Sequence, residues 1–249
     1  MLSLLTMTGV GLGAGVLAGL FGIGGATLVV PLFLSLNFSP LQAIGTASLS
    51  IVCASASGTW QNWRTGKLNI PKIWRLAVPA VVTVQLGVVL AKLSPPLWLL
   101  LGFASYLLIN AWLVELRTRF GAWQGKQGGV SLVQEITIGS LTGLLSGLFG
   151  VGGGMVLVPL QLVLLKEPVK SSICDSLAVV TLTGIGAFLG HGWAGNVVWL
   201  EGILVAGSGA IGAQLGTRIL PHLSDRLVTR MLQALLGCLA VYTIHKALQ

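Results

Sequence analysis

The chain has 249 residues, of which 54% are hydrophobic and only 8% charged, with a mean hydropathy of +0.92. A soluble domain carries about 25% charged residues, so a lipid bilayer is the expected solvent for most of this surface. The net charge of +8 comes from Lys and Arg set between apolar runs. There they would orient a membrane protein, and with no basic face or aromatic-interleaved basic patch nucleic acid is excluded as a partner.

The first apolar run spans 2–36. Its start resembles a signal peptide, but it lacks a basic leading segment and continues through Gly22 to Pro31, so it reads as mature protein. A second run, 41–61, opens with Thr46, Ser48 and Ser50, and is followed by Arg64, Lys67, Lys72 and Arg75. The third run, 73–92, carries Gln85 and ends at Lys92; the fourth is 96–114. The stretch 115–130, ELRTRFGAWQGKQGGV, is glycine-rich and basic. Runs 132–165, 171–190, 198–220 and 227–245 follow; the second of these opens with Ser171, Ser172, Asp175 and Ser176, and the third holds Gln214.

Residues 19–32 (GLFGIGGATLVVPL) recur as 147–160 (GLFGVGGGMVLVPL), identical at nine of fourteen positions with an offset of 128. The alignment extends to Ser48-Leu49 on Ser176-Leu177 and, with one insertion, to Gln85-Leu86-Gly87 on Gln214-Leu215-Gly216. The chain therefore reads as a duplication. One transmembrane repeat spans 1–118, a cytoplasmic linker 119–130, and a second repeat 131–249, with four apolar runs in each. The first run of each repeat is about 34 residues long, whereas one helical crossing needs about 20. Glycine clusters interrupt both: Gly22, Gly24 and Gly25, then Gly150, Gly152, Gly153 and Gly154. The apolar piece after the first cluster is too short to cross, so each long run is expected to be a broken, re-entrant hairpin with a half-helix. Close helix packing is the simpler role for one or two such glycines.

The basic residues bear on topology. If each broken run returns to its own side, the repeats are inverted, and twelve of the fourteen Lys and Arg lie on the cytoplasmic side. A single crossing per broken run gives parallel repeats and a split of eight against six. The positive-inside bias prefers inversion, with both termini periplasmic. The expected fold is thus an all-α polytopic membrane protein of two inverted repeats.

Inverted repeats with broken helices characterise transporters, whose sites form where half-helix N-termini converge near the midplane. Glycine amides and the helix dipole suit a small oxyanion there without a buried arginine. The candidate binding residues are Gly22, Gly24, Gly25, Thr27, Thr46, Ser48 and Gln85, with Gly150, Gly152, Gly153, Gly154, Ser176 and Gln214 from the second repeat. Hydroxyls at such positions often bond their own helix instead, and the glutamines suit an interhelix bond as well as a cavity wall. Asp175 is a candidate for proton or ion coupling, or a partner of Lys170. His191 and the tryptophans at 60, 63, 74, 98, 193 and 199 sit mostly at run ends, as interfacial residues do. Cys53, Cys174 and Cys238 stand alone in apolar runs and read as small hydrophobes. No GxSxG, HExxH or GxxxxGK[ST] motif occurs, so neither catalysis nor a metal or cofactor is expected. The expected partners are a small anion and the lipid bilayer, and a homo-oligomer is left open.

The doubled glycine motif, IGTASLS at 44–50, and the pair QLGVVLAKLSP and QLGTRILPHLS resemble segments of the sulfite exporter TauE/SafE family, also called the 4-toluene sulfonate uptake permease family. The resemblance covers nearly the whole chain. It implies a bacterial inner-membrane permease or exporter for sulfite, sulfonates or related anions, with an anion channel and an intramembrane enzyme or maturation partner as the competing classes. Two departures stand out: Ala26 replaces the last glycine of the first cluster, and Cys174-Asp175-Ser176 stands where hydroxyls are usual. Both imply unequal half-sites.

Overall fold

In chain order the helices are α1 (Leu4–Phe21), α2 (Ala26–Ser35), α3 (Pro40–Arg64), α4 (Ile70–Leu93), α5 (Pro96–Arg119), α6 (Leu132–Phe149), α7 (Gly154–Leu164), α8 (Val169–Trp193), α9 (Trp199–Ile219) and α10 (Asp225–Ala247). A 3-10 turn at Leu220–His222 joins the last two. The computed structural model describes residues 4–119, 131–150 and 152–247, and no strand occurs among them. The linker expected at 119–130 lies outside the described residues beyond its first position.

Local sequence sets several boundaries. Ser39 and Gln42 form a reciprocal capping box at the start of α3, with Pro40 as its first residue. That position suits proline, whose missing N–H would be unpaired there anyway. Asn69 caps α4 by accepting from the Lys72 amide at 3.3 Å. After α2 and α7 the chain turns at Asn37 and Lys166, both at positive φ.

Among the described residues five helices are long and apolar enough to cross a membrane: Pro40–Arg64, Ile70–Leu93, Leu132–Phe149, Val169–Trp193 and Trp199–His222. Their outer faces carry large hydrophobic side chains in the open, such as Val78, Val82, Leu86, Val89 and Leu93 along α4. In water such a stripe would be untenable; against acyl chains it needs no cover. The tryptophans at 60, 63, 74, 98, 193 and 199 are all exposed. Cys174 is buried and Cys53 half-buried, but Cys238 is exposed rather than packed inside, because α10 turns that face outward.

Helix pairs cross between the two sequence halves. Gly11, Gly15 and Gly19 of α1 lie against α9 at Val205, Gly209 and Ala213, so closely that a Cβ on Gly15 would overlap the Gly209 carbonyl. Gly139, Gly143 and Gly147 of α6 lie in the same way against Leu76, Ala80 and Val84 of α4. A small residue every fourth position gives this backbone approach, which maximises dispersion contact where no hydrophobic effect drives association. Residue numbers rise together in both pairs, so α1 runs parallel to α9, and α6 to α4. Thr46 to Val198 and Ser57 to Ala210 set α3 parallel to α9; Asn69 to Asp175 and Gln85 to Gly186 set α4 parallel to α8. By contrast, α3 and α8 are antiparallel: Ile51 meets Gly184, and Gly58 meets Leu177.

Candidate functional site

Between α1 and α2 the chain turns through Gly22, Gly24 and Gly25, at φ values of 70°, 77° and 81°. Between α6 and α7 it turns through Gly150, Gly152 and Gly153, at 63°, 76° and 70°. This left-handed region is unfavourable for residues bearing a Cβ, by about 1–2 kcal/mol each. Gly25 and Gly153 end these turns as the N-cap residues of α2 and α7. The two short helices have 10 and 11 residues, about 15 Å each at ~1.5 Å per residue.

The two turns meet. A Cβ on Gly154 would overlap the Gly22 carbonyl and stand 2.8 Å from Ile23 Cα. Gly24 and Gly152 abut the same two side chains, Ile51 of α3 and Val180 of α8, each near the middle of its helix. Among the described residues the amides of Gly152, Gly153 and Gly154 find no acceptor, nor do those of Ile23, Gly24 and Gly25. A run of unpaired amides at a helix N-terminus is an anion-binding arrangement.

The other sequence candidates divide. Ser176 Oγ donates to the Gly22 carbonyl at 2.8 Å, tying α8 to the first turn. Ser48 donates to Gly45 in its own helix at 2.6 Å, and Thr46 accepts from the Val198 amide at 3.0 Å. Thr27 belongs to the first turn of α2; its side chain is outside the described residues. Gln85 Nε2 donates to the Gly186 carbonyl and Gln214 Nε2 to the Ser57 carbonyl, both at 2.9 Å. They are equivalent bonds between equivalent helices, and neither glutamine touches a glycine turn.

Asp175 is fully buried, but its cation is Lys72, not Lys170. Lys72 Nζ lies 3.2 Å from Asp175, 3.2 Å from Glu167 and 2.9 Å from Gln161 Oε1, with the Lys72 side chain only 3% exposed. The Asn69 amide donates to the same carboxylate at 3.0 Å. This cluster joins α4 to α7 and α8. Lys170 instead stands 3.7 Å from Asp225. His191 is fully buried rather than interfacial, with Nε2 donating to the Gly147 carbonyl at 3.2 Å.

Two residues escaped the sequence reading. Thr142 and Ser146 of α6 are fully buried beside Gly153, and their hydroxyls have no partner among the described residues. Their repeat equivalents are Ala14 and Ala18, which flank Gly25. Comparing the two copies of α1 at these positions would have exposed the difference. Lys72 entered the sequence reading only as a charge that sets topology, although it is the third residue of α4 and pairs with the buried Asp175.

An all-helical bundle with apolar outer faces and several helices long enough to cross a bilayer defines a multi-pass membrane protein. The chain belongs to the TauE/SafE sulfite exporter family, whose model matches residues 7–243. It is thereby a membrane transporter by family. A probable membrane transporter protein of Xylella fastidiosa (strain Temecula1) is 30% identical over 98% of this chain and 96% of its own length. Probable membrane transporter protein MJ0441 of Methanocaldococcus jannaschii is 25% identical over 94% of this chain and 93% of its own length. YunE of Bacillus subtilis, likewise a probable membrane transporter protein, is 23% identical over 97% and 98%. No solved structure matches the chain.

Proposed function

We propose that this protein moves small sulfur-containing anions, sulfite or organosulfonates, across a bacterial inner membrane by alternating access at the paired glycine turns. The observation that carries the reading is the meeting of the two turns, each with unpaired amides, near the middle of α3 and α8. The family description supplies the anion class.

The helix directions support inverted repeats. Because α1 and α3 both run parallel to α9, the chain must return between them through α2, as a re-entrant hairpin does; α6, α7 and α8 repeat the pattern. The equivalent helices α3 and α8 are antiparallel, as inversion requires. On this reading repeats 1–118 and 131–249 are joined by a cytoplasmic linker at 119–130, and both termini are periplasmic. Gly24, Gly25, Thr27, Gly152, Gly153 and Gly154 bind the anion through their backbone; the amides of Gly22 and Gly150 are already held by the Ala18 and Ser146 carbonyls, so these two glycines only shape the turns, and Ser176 holds the first of them. Thr46, Ser48, Gln85 and Gln214 set the helices around it. Asp175, buried against Lys72, is the group through which proton coupling would run.

Purified protein in proteoliposomes tests the reading with sulfite, sulfate, thiosulfate and small sulfonates. Saturable, gradient-coupled flux is expected. Gly24→Ala and Gly152→Ala, each setting a Cβ against Ile51 and Val180 at positive φ, should each strongly weaken anion binding, read on protein that circular dichroism shows to be folded. Retained affinity in both removes the glycine turns from the site, ohmic uncoupled flux makes the protein a channel, and turnover without net transport makes it an enzyme.

A further inference from the structure

Away from the glycine turns, a cavity of about 300 Å³ opens between the C-terminal ends of α3 and α9 and the N-terminal end of α8. That is near the lower end of ligand-pocket volumes. Asn62, Lys67, Lys170, Ser171, Cys174 and Thr217 contribute to its wall. We propose that it is a second anion site, a loading vestibule for a small sulfonate or oxyanion on the basic face of the membrane.

Five features carry this. Lys67 makes no ion pair among the described residues, so its charge is available to a ligand. Lys170 is committed only loosely, 3.2 Å from the Pro221 carbonyl and 3.7 Å from an exposed Asp225. Asn62 is 1% exposed, yet its side-chain Nδ2 has no acceptor. A buried donor without a partner is unfavourable, and an anion in this cavity would supply one. The nearest buried acid, Asp175, is neutralised by Lys72 on the α4 side of α8.

The fifth feature is asymmetry. With the repeat offset of 128, Asn62, Lys67, Lys170 and Ser171 fall on Gly190, Gly195, Gln42 and Ala43. The equivalent positions therefore carry neither cation, and a glycine stands where Asn62 places its buried amide. Packing alone would not demand this difference, whereas a site that collects anions from one side does. Two ammonium groups on a low-dielectric wall concentrate anions locally by about tenfold or more. The proposal rests on the transport reading only for its role as a vestibule; anion binding in the cavity stands apart from which solute is carried.

Cys174 serves as the reporter. In a Cys53→Ser/Cys238→Ser background in nanodiscs it is the sole thiol. Its labelling rate is measured with sulfonatoethyl methanethiosulfonate and with the trimethylammonium analogue, each normalised to free cysteine. The sulfonate reagent should react about tenfold faster. Lys67→Gln/Lys170→Gln should bring the ratio near one, whereas Lys92→Gln, which removes a cation at the far end of α4, should preserve it. Methanesulfonate should slow labelling, and Asn62→Ala should remove that protection. Equal rates in the parent protein, a preference unaffected by the Lys67 and Lys170 substitutions, or no labelling by either reagent overturns the proposal. Charge preference and protection without sulfur-anion flux would sink the transport reading and leave the cavity site standing.

Discussion

Replacing Lys72 by Met removes a cation shared by three acceptors. Asp175, 1% exposed, would keep only the Asn69 amide at 3.0 Å. Breaking a buried pair from one side costs about 3–5 kcal/mol. Glu167 is 24% exposed, so water recovers part of its share, and the lower end, about 3 kcal/mol, applies. Asp175→Asn is milder, because Lys72 retains Glu167 at 3.2 Å and Gln161 at 2.9 Å; a cost of about 1–2 kcal/mol follows. In the double variant no buried carboxylate at position 175 is left without a cation, so the effects fall short of additivity by about 1.5 kcal/mol. Equilibrium unfolding in detergent, with all four species at one pH, measures that coupling. Additivity within about 0.5 kcal/mol would mean that Lys72 and Asp175 do not share a desolvated environment. The same variants test coupling: Asp175→Asn should abolish the response of flux to a pH gradient while downhill anion exchange continues.

Gly15→Leu drives a side chain into the Gly209 backbone, so folded yield should collapse, whereas Gly13→Leu enters open space and should change stability by no more than about 0.5 kcal/mol; thermal unfolding of the two compares them directly. Thr142→Ala/Ser146→Ala converts the second turn's flank to that of the first and should weaken anion affinity by about tenfold, the loss of one or two net hydrogen bonds of about 1 kcal/mol each, read by a binding titration. Single cysteines at 67 and 222 should label from the same side of the membrane and one at 92 from the other; opposite sides for the first pair would end the inverted topology.

The membrane class was legible because it depends on composition, and the helix ends because turn residues and prolines punctuate apolar runs. The candidate site was legible only where backbone chemistry marked it: a glycine cluster in a long apolar run announces a place where side chains are unwelcome. The buried charge cluster was not, since Lys72 sits next to Arg75 in a basic stretch and its partners are 89 to 103 positions away in sequence. Local pattern cannot show which of several lysines the fold draws inward. The same limit applied to Gln85 and Gln214. Their recurrence was visible, but only packing assigned each to a backbone carbonyl of the helix alongside.

Cross-pairing changes what can move. By direction the helices fall into two parallel units, α1, α3 and α9, and α4, α6 and α8, which meet where α3 packs against α8. Each unit takes helices from both sequence repeats, so rigid rocking of residues 1–118 against 131–249 would tear apart the glycine-packed pairs α1 with α9 and α6 with α4. Motion between these mixed units would leave those pairs intact and slide α3 along α8, the seam on which both glycine turns rest. Thr59 and Thr181 face each other across that seam with hydroxyl oxygens 3.2 Å apart, whereas Ser57 and Ala210 join α3 to α9 inside one unit at 2.7 Å. In a background lacking Cys53, Cys174 and Cys238, a Thr59→Cys/Thr181→Cys disulfide should arrest flux and restore it on reduction. A Ser57→Cys/Ala210→Cys disulfide should leave flux within about twofold, since it ties together parts that already travel as one. Free transport with the first bridge closed, or arrest by the second, would place the moving boundary elsewhere.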